Sequence, residues 1–187
     1  MPIPRLNPLV ILSTLVISAF ADEFTYQPPV VKKAIFMGDE IALLESERER
    51  LASNIAGYVS NSLSSRPHPR ELRVARQLIG LSLHLNSRDR NALVANRQLE
   101  RGLVPKKVEV DYQPEVLAEL LLARARTLLG GDSDLDQVLA GFFLFVAMEA
   151  DPENEDAVYD YEIYRLDHGD PDWDAVTGVS SALQADE

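Results

Sequence analysis

The sequence predicts an all-α protein, and three observations support this fold class. Apolar residues recur at spacings of three, four and seven over most of the chain, which is the period of an amphipathic helix. Proline, glycine and asparagine stand at the points where these runs would begin or end. Of the 187 residues, 46% are hydrophobic and 26% are charged, which is the composition of a chain that can bury a core.

The composition also excludes several functions. Because the chain has no Cys, it cannot contain a disulfide scaffold, a thiol nucleophile or a Cys-ligated metal or iron–sulfur centre. Its 30 acidic residues outnumber its 18 basic ones, and a net charge of -12 argues against nucleic-acid binding. The sequence has no glycine-rich phosphate loop and no hydrolase motif. We therefore expect neither a cofactor nor an enzyme.

The first 21 residues predict a secretory signal peptide. Arg5 precedes an uncharged stretch, Leu9–Phe20, which is shorter than the ~20 apolar residues of a membrane-spanning helix. Ala19 and Ala21 match the small residues of a cleavage site. The prediction is an exported protein, periplasmic or secreted. Two alternatives are an uncleaved helix, which would anchor the protein to a membrane, and an N-terminal core helix.

The segment that follows, residues 22–38, is predicted to be extended. Pro28 and Pro29 favour a polyproline-like backbone, which cannot continue a helix. We interpret the segment as either a linker or an arm that docks on the rest of the protein.

Residues 39–102 are predicted to form a first helical unit. We expect helices over three ranges: about 39–63, 70–85 and 88–101. Asp39 is the expected N-cap of the first helix, and two prolines separate that helix from the second. His84, in the second helix, is expected at the surface.

A connector, residues 103–112, leads to a second helical unit at 113–169. We expect helices over three ranges: about 114–129, 133–150 and 152–166. Ser133 is predicted to cap the middle helix, and Pro152 is predicted to open the last one. The tail, residues 170–187, is acidic and is predicted to be partly disordered.

The two units repeat each other at an offset of 65 residues. In the second helix of each unit, small and bulky apolar residues follow at matching intervals and are predicted to pack between helices. In the first unit they are Ala75, Ile79, Ser82, Leu83 and Leu85. In the second unit they are Ala140, Leu144, Ala147, Met148, Ala150 and Pro152. Small side chains at this spacing let antiparallel helices approach closely.

This spacing resembles the second helix of a tetratricopeptide (TPR) repeat. The polar turns at 88–92 and 153–157 look like the turn between repeats of that family. The chain departs from the family in its period of 65 instead of about 34, in its missing first-helix signature, and in Ser87, which replaces a proline. The resemblance implies two stacked TPR-like helical hairpins, each with an extra capping helix. The alternative is a generic helical bundle.

The resemblance also implies a function in protein–protein interaction, because helical repeats present extended concave surfaces. We expect a scaffold or adaptor in the cell envelope, whose partner is another protein or a peptide. One alternative is a regulatory or helper domain of an envelope enzyme. The other is a small protein that binds a divalent metal through its acidic C-terminal segment.

Two acidic clusters are interpreted as helix caps, so no residue is predicted to be a metal ligand. Asp132, Asp134 and Asp136 start with the spacing of a calcium loop, but Gln137 stands where that loop needs a glycine. The aspartates at 167–174 surround a histidine and are interpreted as a helix stop followed by a cap.

Charge is distributed unevenly along the chain. Residues 45–107 carry 12 basic and 6 acidic side chains, whereas residues 108–187 carry 3 basic and 20 acidic ones. A candidate partner-binding set lies on and after the third helix: Arg90, Arg97, Arg101, Lys106 and Lys107. Its arginines recur at spacings of seven and four, on one helix face. We predict that this set meets an acidic partner or a second copy, in a weak, salt-dependent self-association. The alternative is ordinary solvated surface.

The signal peptide makes a testable prediction about the exported protein, which should begin at Asp22. N-terminal sequencing or intact-mass measurement checks this. Replacing Ala19 and Ala21 with Leu should leave the chain full-length, because the cleavage site requires small side chains. Unmodified protein that remains full-length in the membrane fraction would instead support the anchor.

Overall fold

The structure is a computed structural model that describes residues 26–38 and 40–178, and these residues form seven α-helices and no strand. The prediction of an all-α fold is therefore confirmed. In chain order the helices are α1 (Glu45–Ser62), α2 (Pro69–Leu85), α3 (Arg90–Glu100), α4 (Pro114–Leu129), α5 (Asp134–Ala150), α6 (Glu155–His168) and α7 (Trp173–Thr177). The predicted signal peptide, with Ala19 and Ala21, lies outside the described residues, as do Asp39 and residues 179–187 of the tail.

Local signals account for the starts of three helices. Both α2 and α4 begin with a proline, whose backbone is suited to the first helical position. Ser133 caps α5 as predicted, because its hydroxyl accepts a hydrogen bond from the Asp136 N–H group.

The predicted start of the first helix is wrong. Helix α1 begins at Glu45, after Leu44, and residues 40–43 are not helical. Ile41 and Leu43 are instead buried in the core, and the N–H group of Ala42 donates to Asp136 Oδ1 at 3.0 Å. Burial of these two apolar side chains outweighs the local preference for a longer helix.

The predicted start of the sixth helix, and the packing role of Pro152, are also wrong. Pro152 is exposed in the turn between α5 and α6. Helix α6 begins at Glu155, and its N-cap Asn154 accepts a hydrogen bond from the Ala157 N–H group at 3.0 Å. The reversal between the two helices uses residues 151–154, with an Asn154 N–H bond to the Asp151 carbonyl.

Small residues lie where the helices pack. Helix α1 contacts α2 and α3, and α5 contacts α4 and α6. Eight of the predicted packing residues are buried: Ala75, Ile79, Ser82, Leu83, Leu85, Ala140, Leu144 and Ala147. Met148 and Ala150 are half-buried at the edge of the core. The small side chains of this set are thus inside the protein, where they can admit a neighbouring helix.

The connector 103–112 lies along α1 and is held by asparagine side chains. The carboxamide of Asn61 donates to the Val108 carbonyl at 3.0 Å and accepts from the Val108 N–H group at 2.9 Å. Asn54 Oδ1 accepts from the N–H groups of residues 111–112. These side chains therefore satisfy an extended backbone that no strand accompanies.

A glycine between the two asparagines lets the connector approach α1 closely. A Cβ atom at Gly57 would overlap the side chain of Val110. Beyond the connector, Arg124 near the end of α4 forms an ion pair with Glu47 near the start of α1. The α4 helix therefore runs back along α1 in the opposite direction.

Residues 26–38 are docked against the helices. The Val30 N–H group donates to the Thr177 carbonyl at 2.9 Å, and Tyr26 donates to Asn96 Oδ1 at 2.9 Å. Phe36 is fully buried, with its ring 6.0 Å from that of Phe142 in an edge-to-face arrangement. The arm thus joins α3 and α7 and contributes an aromatic side chain to the core.

His84 is buried, so the expectation that it lies at the surface is wrong. Its Nδ1 accepts a hydrogen bond from the Ile35 N–H group at 3.1 Å, and its carbonyl accepts from the Phe36 N–H group at 3.2 Å. The neutral ring therefore carries its proton on Nε2. Burial lowers the pKa of His84 below its usual value, and the Val176 carbonyl opposes this shift in part.

The close contact of α5 with α6 predicts that Gly141→Ala destabilises the protein by about 1–3 kcal/mol. A Cβ atom at Gly141 would overlap the ring of Tyr164, whereas one at Gly130, near the end of α4, would make ordinary contacts. In an unobstructed helix the same change would stabilise by about 1 kcal/mol. Urea unfolding of Gly141→Ala and of the control Gly130→Ala measures the difference, and equal stability of the two variants would contradict this packing.

The burial of His84 predicts that stability decreases below pH ~6.5, the usual pKa of histidine in an unfolded chain. In this range the unfolded chain binds a proton more readily than the folded one, so stability rises with pH and is lost as the pH falls. Thermal unfolding between pH 5 and 7 measures the effect. It should be smaller in His84→Gln and unchanged in His168→Gln. An undiminished slope in His84→Gln would show that other groups cause it.

Candidate interaction surfaces

The predicted partner-binding residues are all exposed. Arg90 and Arg97 lie on α3, and Arg101 follows directly at its C-terminal end. Lys106 and Lys107 lie in the connector, where the Lys106 N–H group donates to Gln98 Oε1 of α3 at 3.2 Å. The structure thus brings the three arginines to one helix face, with the lysines near its end.

Two exposed apolar side chains lie between these arginines. Leu93 is 48% exposed and Val94 is 46% exposed, at positions three and four residues after Arg90 and before Arg97. We call the set Arg90, Leu93, Val94, Arg97 and Arg101 the basic stripe. Sequence reasoning found its arginines and missed its apolar centre, although the spacing of three and four was a usable signal.

The opposite face of α3 determines that the basic stripe points outward. Ala92, Ala95 and Leu99 are buried against α1 and α2. The helix begins at the N-cap Asp89, whose carboxylate accepts from the Ala92 N–H group at 2.8 Å. Burial raises the pKa of Asp89, and this hydrogen bond partly counteracts the shift.

Helix α6 carries a second exposed stripe, of opposite charge. Tyr159 is 66% exposed and Leu166 is 81% exposed, while Tyr161 and Tyr164 are buried on the other face. We call the set Glu155, Tyr159, Glu162, Ile163 and Leu166 the acidic stripe. Sequence reasoning did not single out this surface, because an apolar residue on a helix does not by itself show which face is covered.

The two stripes occupy equivalent positions of the repeat. At the offset of 65 residues, Arg90 corresponds to Glu155, and Arg97 corresponds to Glu162. Between them, Val94 corresponds to Tyr159. The two helices therefore share one pattern, an exposed apolar centre between two charges, and differ in the sign of those charges.

Ion pairs within the chain neutralise the stripes only in part. Arg97 pairs with Glu100 at 2.8 Å, and Glu162 pairs with Arg165 at 3.1 Å. Within the described residues, Arg90 and Glu155 form no ion pair. Exposed pairs between neighbours on a helix are weak, about 0.2–1 kcal/mol each, so these charges can exchange partners.

The acidic residues weighed as metal ligands bind backbone instead. Asp136 accepts from Ala42, and Asp172 caps α7 by accepting from the N–H groups of residues 174–175. His168 stacks on Tyr164, with ring centres 4.7 Å apart. In residues 26–38 and 40–178 no group of three or more His, Asp or Glu side chains is placed to hold a metal ion.

A groove of about 480 Å³ lies at the surface between α1 and α4. Its lining includes the ion pair of Glu47 with Arg124 and the contact of Arg50 with the Tyr112 hydroxyl, 3.4 Å. Because these polar groups already bind one another, the groove offers no group that is free to act as a catalyst.

The part of the chain that the structure describes contains no helix that is both long and apolar enough to cross a membrane. No model of a known protein family matches the sequence. Likewise, no curated protein and no solved structure matches it.

Proposed function

We propose that this protein is an exported helical-repeat scaffold that binds other proteins through the outer faces of α3 and α6. One observation carries the proposal: both helices expose a row of apolar side chains flanked by charges of a single sign. Aligned apolar residues at a surface mark interaction sites, and the charges around them select the partner.

We further propose that α1–α3 and α4–α6 are two TPR-like units, in which α3 and α6 are the capping helices. The burial of equivalent small residues supports this, since Ala75 and Ala140 are both buried, as are Ser82 and Ala147. A terminal helix of a repeat array needs a polar outer face to remain soluble. Helices α3 and α6 expose apolar residues at their ends of the array, which favours surfaces that a partner covers.

The cellular location in this proposal rests on residues 1–21, whose pattern predicts export to the envelope or the medium. A helper domain of an envelope enzyme would use the same two stripes to bind that enzyme. The metal-binding alternative has less support, because Asp136 and Asp172 serve as acceptors for backbone N–H groups.

Site-specific photo-crosslinking in cells that export the protein tests the proposal. A photoreactive residue replaces Val94 or Tyr159 in the stripes, and Val138 serves as the matched control because it is an exposed valine outside them, at 42% against 46% for Val94. We expect crosslinks to protein at Val94 and Tyr159, in clear excess over Val138. Equal yields at the three positions, or no protein adduct at the stripes, would contradict an interaction function.

A further inference from the structure

The charges of the two stripes have the same spacing along their helices. Arg90 and Arg97 are seven residues apart, as are Glu155 and Glu162, which corresponds to about 10 Å along each helix axis. Exposed apolar side chains fill the space between the charges in both cases. Two such helices can therefore meet with opposite charges facing at both ends and apolar side chains in contact between them.

We propose that the basic stripe of one copy of this protein binds the acidic stripe of a second copy. This inference rests on the proposed function, in which the stripes are binding surfaces, and it names their partner. A separate acidic protein would account for the basic stripe alone. A second copy accounts for both stripes at once, and for the reversal of charge at equivalent positions.

The chemistry favours an antiparallel arrangement of α3 and α6 at this contact. With Arg90 opposite Glu162 and Arg97 opposite Glu155, Arg101 comes opposite Asp151, in the turn before α6. A parallel arrangement would place Arg101 opposite the apolar Leu166 instead. The antiparallel register also brings Leu93 opposite Tyr159, so that an aromatic ring covers an exposed aliphatic side chain.

The contact must form between molecules. Helix α3 packs on α1 and α2, helix α6 packs on α4 and α5, and both stripes remain exposed within one chain. Each copy carries one stripe of each kind, so the contact is heterologous, and repetition of it generates an open chain or a closed ring of copies.

Charge reversal on either helix tests the proposal with the purified protein. One variant carries Arg90→Glu and Arg97→Glu, and the other carries Glu155→Arg and Glu162→Arg. Sedimentation velocity at 0.01 M and 0.15 M salt measures association, which screening should weaken at the higher salt. Each variant alone should self-associate about tenfold more weakly than the unmodified protein, or less, because both of its stripes then have the same sign.

Mixing the two variants provides the decisive measurement. The reversed α3 of one variant is acidic and the reversed α6 of the other is basic, so the mixture should associate again. A chain with both reversals should also recover self-association. The matched control carries Arg66→Glu and Arg73→Glu, which make the same change in net charge at exposed positions outside α3. It should associate like the unmodified protein, and thermal unfolding verifies that each variant is folded.

Three results would overturn the inference: a monomer at both salt concentrations, association that is indifferent to the reversals, or a mixture that does not associate. Crosslinks from Val94 to an unrelated protein, together with a monomeric state, would overturn self-association and leave the proposed interaction function in place. The absence of any protein adduct at both stripes would overturn the two together.

Discussion

The arrangement of the helices depends on how α1 holds the extended segment 103–112. An extended backbone without a neighbouring strand leaves its N–H and C=O groups unpaired, and an unpaired buried group costs about 1–3 kcal/mol. Asn54 and Asn61 provide the missing partners, and Gly57 between them gives the backbone room to approach. Because the segment is bound in one register, α4 begins beside the end of α1 and must return along it. The positions of α5 and α6 follow from that of α4.

A second connection comes from the N-terminal side. The arm lies over α2 and α7 and inserts Phe36 beside Phe142, so that side chains from distant parts of the sequence share one aromatic cluster. His84 belongs to the same region and accepts its hydrogen bond only in the neutral form. With these segments packed between them, α3 and α6 remain as outer helices. Their exposed faces are thus a consequence of the fold, and their opposite charges suit them to a common contact.

Several elements could be predicted because their signals are local. A proline at the first helical position and a serine cap act within one turn of backbone, so the starts of α2, α4 and α5 were predicted within one residue. The starts of α1 and α6 were predicted wrongly, since distant partners decide them. Ile41 and Leu43 are drawn into the core beside Asp136 of α5, and the reversal before α6 leaves Pro152 exposed.

The sequence by itself determined the all-α class, the spacing of the arginines on α3, and the small residues at 75, 82, 140 and 147 that are buried in the core. These properties depend on the helical period, which residues a few positions apart establish. Only the tertiary structure decided that His84 is buried and that Leu93, Val94 and Tyr159 are exposed. A helix with apolar residues on two faces can bury either one. The choice depends on the surfaces that neighbouring helices and the connector offer, and those surfaces come together only when residues far apart in the chain meet.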